Sequence, residues 1–204
     1  MNLRTPSDSL VSEYVAKFNN DLKAVSNDNS LDLICRTFPL NIEIEHIILK
    51  VNSINSIYST GILNPYKVAL RIQNLNIDDR LNEADTDLVS DIAIGHGITK
   101  KNSLEDRKFY SFATKYCSFH NKEHFPIYDS RVHQQLVAYN NLFSFTSFKE
   151  EDLKIYMKFK ETLLAFKEYF NISHSIKNID KFLWYYFADF ENEEWKAYKK
   201  KKIQ

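Results

Sequence analysis

The stretch Phe125-Pro126-Ile127-Tyr128-Asp129-Ser130-Arg131-Val132 is the part of this chain that decides its expected fold. A helix predicted over residues 108–120 comes before it, and Pro126 prevents that helix from continuing. Asp129 follows three residues later, where a second helix, predicted to reach about Tyr139, begins. A carboxylate at a helix start meets free backbone N–H groups. The stretch therefore predicts two helices joined by a reversal, with one carboxylate at the start of the second.

The helix before the reversal is expected to bury one face and to carry polar residues along its margin. Lys108 and Lys115 are seven residues apart, so they lie nearly above one another at the edge of the apolar face. Ser111 lies on the polar side of the same edge. The pattern predicts two lysines and a serine on the helix behind Asp129. The apolar face itself comprises Phe109, Phe112, Ala113, Tyr116 and His120.

The rest of the chain predicts an all-α fold. In 204 residues there are only 3 glycines and 4 prolines, too few for the many turns of an all-β protein. Apolar residues recur at helical spacing over 44–58 and 148–170, whereas 26–30 reads as a polar break. We expect eight to ten helices in one domain spanning residues 1–204, either as one body or as two helical lobes with a cleft. Residues 193–204 form a charged tail.

Charge and cysteine content exclude several classes of protein. Lys and Arg total 27, and Asp and Glu also total 27, so any basic surface must be local. Cys35 and Cys117 are far apart, lack metal-ligand spacing and are expected to be free thiols in a reducing cytosol. No apolar run is long enough to span a bilayer, and the N-terminus lacks the apolar core of a signal peptide. We expect a cytoplasmic monomer with no metal and no membrane partner.

The reversal and its flanks resemble the helix-hairpin-helix DNA glycosylase superfamily, which contains endonuclease III, MutY-type adenine glycosylases and 8-oxoguanine glycosylases. Pro126, Asp129 and Val132 match the proline and the Asp-x-x-Val motif of that family. Ile44–Thr60 resembles its early helix, and Ile179–Trp184 resembles its closing helix. The resemblance covers residues 40 to 190 and implies a multi-helix, two-lobed fold.

The resemblance implies an enzyme that flips a damaged or modified base out of DNA and breaks its N-glycosidic bond. Asp129 would stabilise the positive charge on the sugar or activate water. Bifunctional members add a lysine that forms a Schiff base with the sugar. Aligning Ala113 with the small residue of the family's helix places Ser111 at the lysine site, as in a monofunctional enzyme. A longer loop places Lys108 there instead, and Lys108 is preferred to Lys115 as the nucleophile.

The same resemblance assigns further residues to the base pocket and to the DNA backbone. No cofactor is expected, because two cysteines cannot ligate an iron–sulfur cluster. The partner is DNA with a damaged base, and a prokaryotic protein would be nucleoid-associated. The pocket residues are Asn55, Tyr58, Ser59, Thr60, Tyr128 and Trp184, and the backbone contacts are Lys100, Lys101, Arg107 and Arg131.

The chain departs from the family just before the lysine-bearing helix. The family has a Gly-x-Gly hairpin there that grips a DNA phosphate, whereas this chain has Leu104-Glu105-Asp106-Arg107. The two acids would repel phosphate, and Gly95-His96-Gly97 occurs earlier in the sequence. A non-catalytic DNA-binding or protein-interaction module on the same fold is therefore the alternative prediction.

Overall fold

A computed structural model describes the backbone of residues 3–100 and 104–202 and the side chains up to residue 189. Ten α-helices and one 3-10 helix form the regular structure of this part, which contains no β-strand, so the all-α prediction is confirmed. One isolated bridge joins Thr99 to Asp106. The helices are α1 (Asp8–Asn20), α2 (Leu22–Thr37), α3 (Ile44–Tyr58), α4 (Pro65–Leu75), α5 (Asp78–Asn82), α6 (Asp87–Ala93), α7 (Tyr110–His120), α8 (Ser130–Phe143), the 3-10 helix Glu150–Lys154, α9 (Tyr156–Tyr169) and α10 (Ile176–Lys202).

The polar segment 26–30 is helical, which corrects the predicted break. The carboxylate of Asp21 caps α2 by accepting hydrogen bonds from the backbone N–H groups of Lys23 and Ala24, both at 3.0 Å. Leu31 and Cys35 then bury one side of α2 in the core. A cap and two buried anchors outweigh the weak helix preference of the polar residues between them.

Two further helices differ in length from their predictions. The helix expected over 148–170 is divided into a 3-10 turn and α9, because Asp152 accepts a hydrogen bond from the backbone N–H of Lys149 at 3.0 Å and tightens the first turn. The last helix, α10, continues to Lys202 and so includes most of the charged tail. Gln204, the end of that tail, lies outside the described residues.

Helix α7 lies at the centre of the fold, and every residue from Phe112 to Phe119 is buried. Helices α2, α3 and α6 pack against it. On another side of the molecule, α10 packs against α1 and α8. A helix that is covered on most sides needs mainly apolar residues around its circumference, and the buried part of α7 departs from this at the polar or charged residues Thr114, Lys115 and Ser118.

A buried lysine fixes the connection between α2 and α3. The ammonium of Lys50 donates to the carbonyls of Phe38 and Leu40, both at 3.1 Å, and to the Oδ1 of Asn41 at 2.6 Å. The hydroxyl of Tyr116 donates to the same Oδ1 at 2.6 Å, which ties this connection to α7. Burial lowers the pKa of Lys50 to about 8.

Among the helices of the described residues, none combines the length and the apolar character that a membrane span requires.

Candidate functional site

Asp129 is the N-cap of α8, as the sequence predicts. Its Oδ1 accepts a hydrogen bond from the backbone N–H of Arg131 at 2.9 Å. The segment before it is held on both sides, because Tyr156 donates its hydroxyl to the carbonyl of Pro126 at 3.0 Å and the backbone N–H of Tyr128 donates to Thr114 Oγ1 at 3.1 Å. The position of this carboxylate is therefore set by three helices.

The buried amine of Lys115 lies next to Asp129. Its Nζ donates a hydrogen bond to Ser111 Oγ at 2.7 Å and lies 3.6 Å from Asp129 Oδ2. Only 2% of Lys115 is exposed. Burial lowers the pKa of this amine, while the carboxylates of Asp129 and Asp180 partly oppose the shift. Lys115 is thus closer to its neutral, nucleophilic form than an exposed lysine would be.

Lys115 and Asp129 both line a pocket of about 390 Å³, which is within the size range of small-molecule sites. The junction of α1 and α2 forms one wall, with Phe18 and Asp28 among its residues. Tyr58, at the end of α3, forms another wall, and its ring centre lies 5.1 Å from Lys115 Nζ. The pocket combines an amine, carboxylates and aromatic rings.

Helix α10 supplies the remaining wall through one of its faces. Lys177, Asp180, Lys181 and Trp184 are spaced at i, i+3, i+4 and i+7, so they point in the same direction. Lys177 donates to Asp28 Oδ1 at 3.0 Å, and both side chains are largely buried. The ion pair links α10 to α2 across the pocket.

Asp180 is a pocket carboxylate whose pKa is raised by its surroundings. Burial raises its pKa to about 6, although the lysines at 177 and 115 oppose the shift. Among the residues that the structure describes, none donates a hydrogen bond to this carboxylate. Asp180 can therefore accept a hydrogen bond from a bound ligand, or donate one when it is protonated.

Eleven of the fifteen residues that line the pocket were absent from the sequence-based assignment, and four of these eleven are charged residues that bear on the electrostatics of the site. These four share a position on α2 or α10, the two helices that close the pocket over α7. The spacing within α10 was the available signal, because it places Trp184, which was assigned, on the same face as three unassigned residues. The four residues are Asp28, Lys177, Asp180 and Lys181.

The structure brings Ser111 and Lys115 to Asp129 and leaves Lys108 elsewhere. Lys108 is exposed and lines a separate cavity together with Tyr110 and the ring of Tyr128. The reason is geometric, since Lys108 precedes the first residue of α7 and lies about two turns from Lys115.

Of the residues predicted at the end of α3, Tyr58 lines the pocket, whereas Asn55 and Thr60 hold the turn that follows the helix. Tyr58 lines the pocket, and so does Trp184 on α10. The side chain of Asn55 donates to the carbonyl of Ile62 at 2.9 Å and accepts from Thr60 Oγ1 at 2.9 Å. Ser59 is exposed. Asn55 and Thr60 thus hold the turn that ends α3.

Three of the four predicted backbone-contact residues have partners within the chain. Lys100 forms an ion pair with Glu105 at 2.7 Å. The guanidinium of Arg107 lies 5.4 Å from the ring centre of Phe109. Arg131 lies 4.6 Å from the ring centre of Trp184, at the pocket. Lys101 lies outside the described residues.

The Gly-x-Gly segment holds a carboxylate of the same chain. Asp106 Oδ2 accepts hydrogen bonds from the backbone N–H groups of Gly95 at 2.9 Å and Gly97 at 3.4 Å. Both glycines have positive φ, 80° and 65°, which turns their N–H groups toward one point. These two amides are occupied by an internal anion.

Comparison with known proteins places the chain in a sequence family. The HI_0787_N family, described as an N-terminal domain, matches residues 10–124. A Haemophilus influenzae (strain ATCC 51907 / DSM 11121 / KW20 / Rd) protein named "Uncharacterized protein" is 40% identical over 145 residues, which are 69% of this chain and 66% of that protein. The match thus spans just under two thirds of that relative's length. No solved structure matches the chain. The family match includes Tyr58 and Lys115 and ends before Asp129.

Proposed function

The chain belongs to the HI_0787_N family, and we propose a function for it from the geometry of its pocket. The proposal is cleavage of the N-glycosidic bond of a damaged or modified base that is flipped out of DNA, followed by Schiff-base chemistry. Lys115 is the nucleophile, and Asp129 is the electrostatic catalyst. This is the activity that the resemblance to helix-hairpin-helix glycosylases implies, and the distance between Lys115 and Asp129 supports the choice of that lysine.

The observation that carries the proposal is the distance of 3.6 Å between Lys115 Nζ and Asp129 Oδ2 inside a pocket. Burial of an amine and a carboxylate costs folding free energy, and ionisable groups with shifted pKa values cluster at active sites. Ser111 keeps the amine oriented by accepting its hydrogen bond at 2.7 Å. The arrangement supplies a nucleophile and a negative charge within reach of one sugar carbon.

The covalent step follows from these positions. The lone pair of the neutral Lys115 amine forms a bond to C1′ of the sugar, and the bond between C1′ and the base nitrogen breaks. Its electron pair leaves with the base, which takes up a proton that the attacking amine gives up. The C1′–O4′ bond then opens as the lone pair of the lysine nitrogen forms the C1′=N bond of an iminium, and O4′ takes up a proton from solvent. Asp129 stabilises the positive charge that develops at C1′.

The walls of the pocket suit a flipped base. Tyr58 and Trp184 offer aromatic rings, and stacking of a base on such a ring contributes about 1–3 kcal/mol. Asp180 faces the same space with an unused hydrogen-bonding capacity. A carboxyl with a pKa of about 6 can bond to the polar edge of a base in either protonation state.

The test is trapping of the Schiff base on defined DNA. Oligonucleotides that carry oxidised, deaminated or alkylated bases, and one with an abasic site, are incubated with the protein and borohydride. The proposal predicts a covalent adduct with at least one of them, and its loss in Lys115→Gln. Lys108→Gln is the matched control on the same segment and should retain the adduct. An adduct that persists in Lys115→Gln and disappears in Lys108→Gln would exclude Lys115.

One observation favours the second function, a binding module without catalysis. The backbone amides of Gly95 and Gly97 already hold Asp106, so they are not free to grip a phosphate. A protein-interaction module would show no affinity for DNA even at low salt, whereas the glycosylase must bind it. Fluorescence anisotropy with a labelled duplex at low and moderate salt separates the two functions.

A further inference from the structure

A second cavity lies on the other side of Tyr128 from Lys115, and its charge differs from that of the first pocket. It has a volume of about 320 Å³. Ala93 and Ile94, at the end of α6, form an apolar wall. The lysines at 108 and 154 also line it, and they are the charged residues among the described part of its lining. The charge that these described residues present is therefore positive.

Two tyrosine rings form the other wall of this second cavity. The ring centres of Tyr110 and Tyr128 are 4.6 Å apart. The hydroxyl of Tyr110 donates to the carbonyl of Leu153 at 3.3 Å, which holds that ring in place. Tyr110 also packs edge-on against Tyr156. A fixed aromatic wall is a suitable surface for stacking a planar ligand.

The hydroxyl of Tyr128 is held by a buried histidine. Nε2 of His133 lies 3.0 Å from the carboxylate of Glu150, which can only accept, so Nε2 carries the proton. Nδ1 of His133 therefore accepts the hydrogen bond from the Tyr128 hydroxyl at 3.1 Å. The tyrosine oxygen keeps a lone pair that can accept a hydrogen bond from a ligand.

We infer that the second cavity binds a planar aromatic group that carries a negative charge and has the size of a nucleoside monophosphate. The tyrosines receive the planar group, and Lys108 and Lys154 neutralise the anion. The choice of a nucleotide over other aromatic anions rests on the proposed function, because DNA supplies a phosphate next to every base. The site itself is argued from its own lining.

Tyr128 connects the second cavity to the first pocket. Tyr128 lines the second cavity, and its carbonyl oxygen lies 3.5 Å from Lys115 Nζ and accepts a hydrogen bond from it. A ligand that stacks on the ring holds this residue in place, and with it one of the acceptors that orient the amine. Occupation of the second cavity thus supports the arrangement in the first.

The probe is 2′-deoxyadenosine 5′-monophosphate, with its affinity measured by isothermal titration calorimetry. The double variant Lys108→Gln/Lys154→Gln should bind it about tenfold or more weakly, because two charge-assisted contacts are lost. Lys177→Gln/Lys181→Gln makes the same charge change in the first pocket and should bind within about twofold of the unchanged protein. Both lysines of the first double variant are exposed, so its thermal unfolding should match that of the unchanged chain.

Three results would overturn the inference. One is that deoxyadenosine, which has no phosphate, binds as tightly as the nucleotide. Another is that the affinity for the nucleotide depends on the lysines of the first pocket and not on the lysines of the second cavity. Lys115→Gln separates this inference from the proposed function, since that variant should fail in borohydride trapping and still bind the nucleotide. If borohydride trapping is intact and no nucleotide binds, the second binding site is excluded and the proposed function is not.

Discussion

The Oδ2 of Asp129 lies 3.6 Å from the amine of Lys115, while the Oδ1 of the same carboxylate accepts the hydrogen bond that caps α8. Each oxygen therefore has its own task. The side chain of Lys115 is 3% exposed and that of Asp129 is 24% exposed, so the carboxylate is the more accessible of these two groups that line the pocket. Because the cap needs only a hydrogen-bond acceptor and the chemistry needs a negative charge, substitution can separate the two tasks.

Asp129→Asn should retain the cap and lose the chemistry. Asparagine caps helices as well as aspartate does, so at a pH at which Lys115 is neutral the free energy of unfolding should change by less than about 0.5 kcal/mol. Asp129→Ala should lose about 1 kcal/mol. Base excision should fall about a hundredfold or more in both variants, because the charge that stabilises the sugar cation is absent. Chemical denaturation and single-turnover cleavage measure the two effects.

Ser7 provides the matched control for these cap variants. Its hydroxyl caps α1 by accepting a hydrogen bond from the backbone N–H of Leu10 at 3.2 Å, far along the chain from the Asp129 cap. Ser7→Ala should lose about 1 kcal/mol of stability and keep full cleavage activity. An Asp129→Asn protein that cleaves at the unchanged rate would show that Asp129 serves only as a cap.

The buried amine predicts an ascending pH–rate profile. Lys115 reacts in its neutral form, and burial lowers its pKa below the ordinary value of 10.5. The rate of adduct formation should therefore rise with pH and level off below pH 10.5. Removing the negative charge in Asp129→Asn lowers the pKa of Lys115 further, so the rising limb should move to lower pH while the plateau falls. A rising limb that stays at the same pH in Asp129→Asn would show that the profile does not report the pKa of Lys115 beside Asp129.

The helical frame of the site was predictable because spacing and capping are local properties. Residues 44–58 show an unbroken helical repeat, and the structure places α3 over the same range. The sequence order of Pro126 and Asp129 predicted the start of α8, which the observed cap confirms. These signals depend only on neighbours within one or two turns.

The burial of Lys115 was not predictable, because it depends on contacts between distant segments. On a helical wheel Lys108 and Lys115 have nearly equivalent positions at one margin. In the folded chain, residues of α2 and α10 close the pocket at Lys115, whereas Lys108 is exposed. The wall that contains Asp28 was missed for a related reason, since the polar composition of 26–30 concealed the continuity of α2.

Asp180→Asn should stabilise the protein at neutral pH. Burial raises the pKa of Asp180 from 3.8 to about 6, so the folded state binds a proton more tightly than the unfolded state does. Stability therefore falls as the pH rises from 3.8 through 6, and the full cost remains above pH 6. Asparagine removes this cost, which amounts to at most about 3 kcal/mol for a shift of this size.

The stability difference between Asp180→Asn and the unchanged chain should be largest at pH 7.5 and should shrink toward pH 4. Denaturant unfolding at several pH values measures it. Glu161→Gln is the control, because Glu161 is exposed on α9 and its substitution removes the same charge without relieving burial. Equal stabilisation in both variants, or a difference independent of pH, would contradict the assignment of the effect to the buried carboxyl.

Substitution of Asp106 should change how the chain binds DNA. The Asp106 carboxylate occupies the amides of Gly95 and Gly97. Asp106→Ala removes a negative charge and frees both amides, so affinity for a duplex should rise. The slope of log affinity against log salt should steepen by about 0.9 if one more phosphate is bound. Fluorescence anisotropy over a range of salt concentrations gives both quantities.

Asp106→Asn separates the effect of the negative charge on DNA binding from the effect of filling the two glycine amides. The asparagine oxygen can still accept the hydrogen bonds of Gly95 and Gly97, so this variant removes the charge and leaves the amides filled. Its affinity for DNA should rise through weaker repulsion, and its salt slope should stay that of the unchanged chain. If the alanine and asparagine variants have the same slope, the two glycine amides take no part in phosphate binding. In that case the proposed binding of DNA would rest on the basic side chains alone.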